Sequence, residues 1–205
     1  MIERNDFTYG NRDVLEYGFK SVTMDDIAEK LGISKKTIYA NYATKTLLVQ
    51  DVAFNILETI QKSIAEIKKK DLNAIEELFE VKKQIRIFLK DEKTSPQFQL
   101  EKYYPKIFAN VTRKKSDLVS CSIEENVTRG INEGLFRKEI DVKFIAKLYH
   151  EGTNAIRDTS IFPAENYSKA DLFQLYIEYH VRGIATKKGL EILEDLLNNN
   201  ETSTH

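Results

Sequence analysis

The 205-residue sequence contains no tryptophan, one cysteine (Cys121), three prolines and eight glycines. A single cysteine excludes an internal disulfide framework and most zinc sites, and it fits a reducing compartment. Glycine and proline together are 11 of 205 residues, about 5% where about 12% is usual. Sheets need many turns and turns need those two residues, so their shortage favours a mostly helical chain. No apolar run approaches the roughly 18 residues of a membrane span. The first residues, Glu3, Arg4, Asn5 and Asp6 among them, do not read as a signal peptide. Charge of one sign is also missing: 31 Lys and Arg face 32 Asp and Glu, which gives no global attraction to nucleic acid. What is present, 41% hydrophobic and 31% charged residues, is too apolar for disorder and too charged for a membrane. The expectation is a soluble, cytoplasmic, all-α protein with no membrane partner.

Apolar residues three and four apart predict helices over about 46–67 (Leu48, Val52, Ile56, Ile60, Ile64, Ile67) and 72–90 (Ile75, Leu78, Phe79, Ile85, Phe88, Leu89). The same spacing recurs over about 142–157 (Phe144, Ile145, Leu148, Tyr149, Ile156) and 169–186. Pro96 suits the first position of another helix. Gly134 suits the end of the helix through Ile123, Val127 and Ile131. Asp141 and Ser168 read as N-caps of the two helices that follow. No strand, repeat or Gly/Ser linker stands out. The expected architecture is nine or ten helices in two domains, residues 1–45 and residues 46–205.

Charge is uneven at short range. Residues 1–33 hold four basic and seven acidic residues, whereas residues 34–50 hold three lysines and no acid. The segment from Val22 to Leu48, VTMDDIAEKLGISKKTIYANYATKTLL, carries the chemistry. Thr23 caps a short helix with Asp26 as its capping-box partner. Met24, Ile27 and Leu31 form the inner face, and Ala28 leaves room for a crossing helix. Gly32 supplies the left-handed residue that ends the helix. Ile33 fills the turn and Ser34 caps a second helix, whose inner face is Ile38 and Tyr42. Two short helices joined by a glycine-containing turn make a helix-turn-helix. Left outward on the second helix are Lys35, Lys36, Thr37, Tyr39, Ala40 and Asn41. Lys35 and Lys36 sit in the first turn, where the helix dipole disfavours cations, and Lys45 repeats the pattern after the cap Thr44. One such lysine is ordinary solvation; three in an acid-free segment point to an external anion such as DNA phosphate.

This segment resembles the DNA-binding region of the TetR family of transcriptional regulators. The residues that carry the resemblance are Gly32-Ile33-Ser34, Thr37-Ile38-Tyr39, Tyr42 and Thr44-Lys45, within a stretch from Tyr17-Gly18-Phe19 to Leu48. A weaker likeness covers Lys102-Tyr103-Tyr104-Pro105, Gly130 to Arg137, and Arg182 to Thr186. The resemblance implies that Thr23, Lys35, Lys36, Thr37, Tyr39, Asn41 and Lys45 face double-stranded DNA. Tyr39 and Lys45 would then contact phosphates, with Lys35, Lys36 and Asn41 nearest the bases. The first helix departs from the family's apolar pattern: Asp6, Gly10 and Asp13 fall where apolar or small residues are expected, while Phe7 and Val14 keep it.

The resemblance further implies a homodimer built on the last two long helices, reading a palindromic operator, and release by a small-molecule effector. Repression is the family default. Candidate interface residues are Gly152, Phe173, Tyr176, His180, Gly183 and Ile184, for which packing within one chain is the other open reading. Candidate effector-lining residues are Tyr103, Tyr104, Phe108, Phe144 and Tyr149, each of which also reads as a core residue. Few polar residues stand out on the inner faces, which hints at an apolar effector.

An enzyme is not expected. A di-iron helical protein needs Glu-x-x-His, yet Lys147 and Ile177 stand three residues before His150 and His180. No HExxH, phosphate-binding glycine loop or GxSxG elbow occurs, and neither metal nor cofactor is expected. The alternative to a regulator is a helical adaptor or ligand-binding protein without specific DNA binding.

Overall fold

Local capping residues set most of the helix ends. The computed structural model describes residue 19 and residues 23–30, 32–89, 96–163 and 165–201. Among these there are nine helices and no strand: α1 Met24–Lys30, α2 Lys35–Asn41, α3 Lys45–Lys68, α4 Ala74–Leu89, α5 Pro96–Tyr103, α6 Pro105–Asn132, α7 Val142–Ala155, α8 Lys169–Ile184 and α9 Lys187–Glu201. The all-α expectation is met. No helix of the described residues is long and apolar enough to cross a membrane.

At the start of α1 the capping box is reciprocal: the Asp26 N–H donates to Thr23 Oγ1 at 3.1 Å and the Thr23 N–H donates to Asp26 Oδ2 at 2.7 Å. Its end is a Schellman motif: Gly32 has φ 63°, its N–H reaches the Glu29 carbonyl at 3.0 Å, and the Ile33 N–H reaches the Ala28 carbonyl at 2.9 Å. Ser34, Asp141 and Ser168 accept from the N–H groups of Thr37, Phe144 and Asp171. A second capping box, Asn73 with Glu76, opens α4. Gly134, at φ 71°, closes α6.

Two compact units result, one of residues 1–63 with 87–115 and the other of 64–86 with 116–205. In the first, Phe19, Met24, Ile27, Ala28 and Ile38 are buried with Leu48, Val49, Val52, Ala53, Leu100 and Ile107. The inner face read for α1 and α2 is thus the observed one at Met24, Ile27, Ala28 and Ile38. Residues of α3, α5 and α6 complete that core. Leu31 and the residues of the first helix segment, Asp6, Phe7, Gly10, Asp13 and Val14, lie outside the described residues.

In the second unit α4, α6, α7, α8 and α9 enclose a core that includes Ile75, Val127, Phe136, Tyr149, Ile177, Val181 and Leu193. An isolated antiparallel bridge, Phe136 to Ala185, ties the connection after α6 to the turn after α8. Glu77 is buried here with its charge matched. Its carboxylate accepts from Asn126 Nδ2 at 2.9 Å and lies 2.9 Å from an Arg129 guanidinium nitrogen. Arg129 also pairs with Glu133, whose other oxygen accepts the Ala74 N–H at 2.9 Å. A buried carboxylate without such partners would be strongly destabilising.

Candidate nucleic-acid interface

The orientation of α2 follows from what its inner face holds. Ile38 is completely buried. Tyr42, the C-cap residue, donates its hydroxyl to Asp51 Oδ2 of α3 at 2.5 Å. With Ile38 and Tyr42 anchored, helical geometry turns Lys35, Lys36, Tyr39, Ala40 and Asn41 to solvent, and all five are exposed. Thr37 is half-buried.

Not every expected contact residue presents a free polar atom. The Thr23 hydroxyl is engaged in the capping box. The Thr37 hydroxyl shares a hydrogen bond with the Ser34 hydroxyl at 2.8 Å. Asn41 Nδ2 donates to the Thr37 carbonyl one turn back, at 2.8 Å. Lys45 is half-buried, and burial lowers its pKa while the charge of Asp26 opposes that shift.

The anion sought for Lys35 is in the chain itself. Lys35 Nζ lies 2.8 Å from Asp25 Oδ2, both side chains being exposed, and the hydrogen bond to Asp25 raises the lysine's pKa. An external phosphate is therefore not required to explain that lysine. Lys36 is exposed and is matched with no carboxylate among the described residues. Sequence reasoning missed Asp25 because it stands ten positions away, on the outer face of the preceding helix; two acids in the first turn of α1 were the available signal. Ammonium, phenol and carboxamide groups on one short outward face suit phosphate and base-edge contacts.

The residues expected to line an effector site divide between the two units. Tyr104 and Phe108 pack against the core of the first unit, and Tyr103 in the same unit is exposed. Tyr149 is buried in the core of the second. Phe144 does not face inward: it is exposed, because Asp141 caps α7 in a register that places Ala146, Tyr149, His150 and Thr153 inside. Inner faces are also less bare of polar groups than expected, since Glu77, Asn126, His150, Thr153 and His180 are all buried. Among the described residues, no three His, Cys, Asp or Glu side chains are grouped to hold a metal ion.

Of the residues expected at a subunit interface, His180 and Ile184 are closed inside their own unit, and Phe173 and Tyr176 are half-buried there. Tyr176 occupies the space over Gly152, whereas Gly183 is open. The exposed apolar side chains of α7 and α8 are others: Phe144 (60%), Leu148 (50%), Leu175 (57%) and Tyr179 (74%). They form two pairs spaced four apart; the spacing that joins Phe144 and Leu148 to Tyr149 in the sequence does not tell which side of α7 faces outward.

Comparison with known proteins agrees with this architecture. Residues 14–52 match the family model of bacterial regulatory proteins of the tetR family. No curated protein matches the sequence. Among solved structures, a transcriptional regulator from Cytophaga hutchinsonii ATCC 33406 is similar at TM-score 0.74 and 14% identity, over 89% of this chain and 97% of that one. A TetR-family transcriptional regulator from Agrobacterium tumefaciens superposes at TM-score 0.66 and 17% identity, over 89% and 97% of the two chains. A regulator from Saccharomonospora viridis, in complex with choline, does so at TM-score 0.69 and 19% identity, over 90% and 98%. The resemblance read from the sequence is borne out.

Proposed function

From the premise that this chain has the fold of the TetR-family transcriptional regulators and their N-terminal segment, we propose that it is a ligand-responsive repressor. It binds a palindromic DNA site as a homodimer, and a small molecule releases it. The observation that carries the reading is the outward face of α2, with Lys35, Lys36, Tyr39 and Asn41 exposed on a helix whose caps and buried anchor fix its rotation. Residues 1–45 are the reading head. Residues 46–205 supply dimerisation and effector binding. Lys45 and Tyr39 bind phosphates, while Lys36 and Asn41 address base edges, Asn41 after leaving its bond to the Thr37 carbonyl.

Support for the homodimer comes from Phe144, Leu148, Leu175 and Tyr179, large apolar groups in water on two helices that pack on each other. A two-fold dimer matches a palindrome, with half-sites about one helical turn or a multiple apart. The choline complex of the Saccharomonospora viridis protein supports a small-molecule effector for this one. Release requires that the effector bind the DNA-competent and DNA-incompetent states with different affinity.

The test is binding of the purified protein to fragments flanking its own coding sequence at two salt concentrations, with two variants. Lys45→Ala should weaken all sequences alike and flatten the log–log salt dependence by about 0.9, one phosphate's worth. Lys36→Ala should instead relax discrimination at one base position. Sequence-blind binding by the unmodified protein, abolished by moderate salt, would refute the regulator reading and favour the adaptor.

A further inference from the structure

We propose that Asp25 sets the discrimination of the DNA-reading face, by holding Lys35 away from phosphates unless a base acceptor takes the carboxylate's place. The inference rests on the DNA-binding reading above and deepens it. Two acids of α1, Asp25 and Asp26, act on two of the three lysines of this segment. Asp25 Oδ2 lies 2.8 Å from Lys35 Nζ, and the charge of Asp26 acts on Lys45. Asp26 is additionally held by the Thr23 N–H at 2.7 Å. Lys36 has no carboxylate partner among the described residues. Those five side chains taken by themselves sum to a single positive charge, where the lysines alone would give three.

That balance has a physical consequence. Nonspecific DNA binding depends on lysines replacing counterions at phosphates, and each contact adds about 0.9 to the salt slope. A lysine already neutralised by a carboxylate adds little, because bringing it to a phosphate first removes its partner. Both members of this pair are exposed, and exposed pairs are weak. A well-placed base acceptor, such as the paired O6 and N7 of guanine, can therefore displace Asp25 where a mobile phosphate contact gains too little. Lys35 then contributes in full at a matched site and less elsewhere. Asp25 itself touches no base in this arrangement; it is a positioning residue.

The experiment measures binding of the full chain to two probes across 50–200 mM salt. One is a random-sequence duplex, and the other is the duplex enriched from a random library by the unmodified protein. Asp25→Asn should tighten the random duplex by up to about fivefold at 50 mM, the most an exposed pair can withhold, and steepen its salt slope by up to about 0.9, with less gain on the enriched duplex, so that the specificity ratio falls. Lys35→Gln should weaken the enriched duplex more than the random one. Asp25→Glu, which restores the carboxylate, should recover the original slope. A merely structural role for Asp25 would not move a salt slope, and thermal melts of each variant report folding separately. The proposal is overturned if Asp25→Asn leaves both slope and specificity ratio unchanged, or if Lys35→Gln alone flattens the slope on random duplex by one contact. If the unmodified protein binds neither probe, the DNA-binding reading fails with it.

Discussion

Tyr176 lies over Gly152, with its hydroxyl donating to the carbonyls of Leu148 at 3.0 Å and Tyr149 at 3.1 Å. A Cβ built on Gly152 would fall within the Tyr176 hydroxyl oxygen, Cζ and Cε2. The glycine in α7 is thus present for the ring on α8, and burial of that phenol pushes its pKa up to about 12.

Gly152→Ala should therefore destabilise the protein by about 1–3 kcal/mol, the range for overpacking. For a chain of this size that lowers the melting temperature by about 2–4 °C per kcal/mol. Adding Tyr176→Phe should not rescue it, because Cζ and Cε2 remain in the way. Rescue by the phenylalanine variant in a calorimetric scan would show that the hydroxyl alone is the obstacle.

Gly32→Ala isolates the backbone effect. At φ 63° an added methyl meets no atom of the described residues within 4 Å beyond its own chain neighbours, so the penalty is that of the left-handed conformation, about 1 kcal/mol. Asparagine should be tolerated better there than alanine. Urea unfolding of the three proteins gives the order, and a loss above about 3 kcal/mol for alanine would show that the backbone conformation is not the whole of the penalty.

His180 should make stability pH-dependent. It is buried against the rings of Tyr149 and Tyr176, its Nε2 finds no hydrogen-bond partner among the described residues, and burial pushes its pKa down to about 4. The unfolded chain takes up the proton near pH 6.5. The neutral form's contribution is therefore intact above that pH and is lost as pH falls from about 6.5 towards 4. Between pH 7 and 5 the loss should be about 2 kcal/mol. His180→Gln should remove that part of the decline, as read from urea midpoints at the two pH values; parallel declines would rule His180 out as its source.

Leu148→Glu and Tyr179→Glu place charges among the exposed apolar groups of α7 and α8. Both positions are solvent-facing in the single chain, so helical content should be unchanged, with any loss of monomer stability within about 0.5 kcal/mol. The expected outcome in sedimentation at micromolar concentration is a shift from dimer to monomer, together with loss of binding to a palindromic site. A chain that remains dimeric with both charges would place the interface elsewhere.

The sequence by itself determined the helix ends and the outward face of α2. Thr23 with Asp26, Gly32, Ser34, Asp141 and Ser168 act within four or five residues of themselves, so their caps are legible without the fold. The rotation of α2 was equally legible, because Ile38 and Tyr42 four apart define one inner side. Only tertiary structure decided which charges meet and which apolar residues stay in water. Lys35 has its anion across the turn on α1, Gly152 answers to a ring on another helix, and Phe144 lies outside while Tyr149 lies inside. Such outcomes depend on how one helix is seated on the next, and spacing along a single helix contains no record of what faces it.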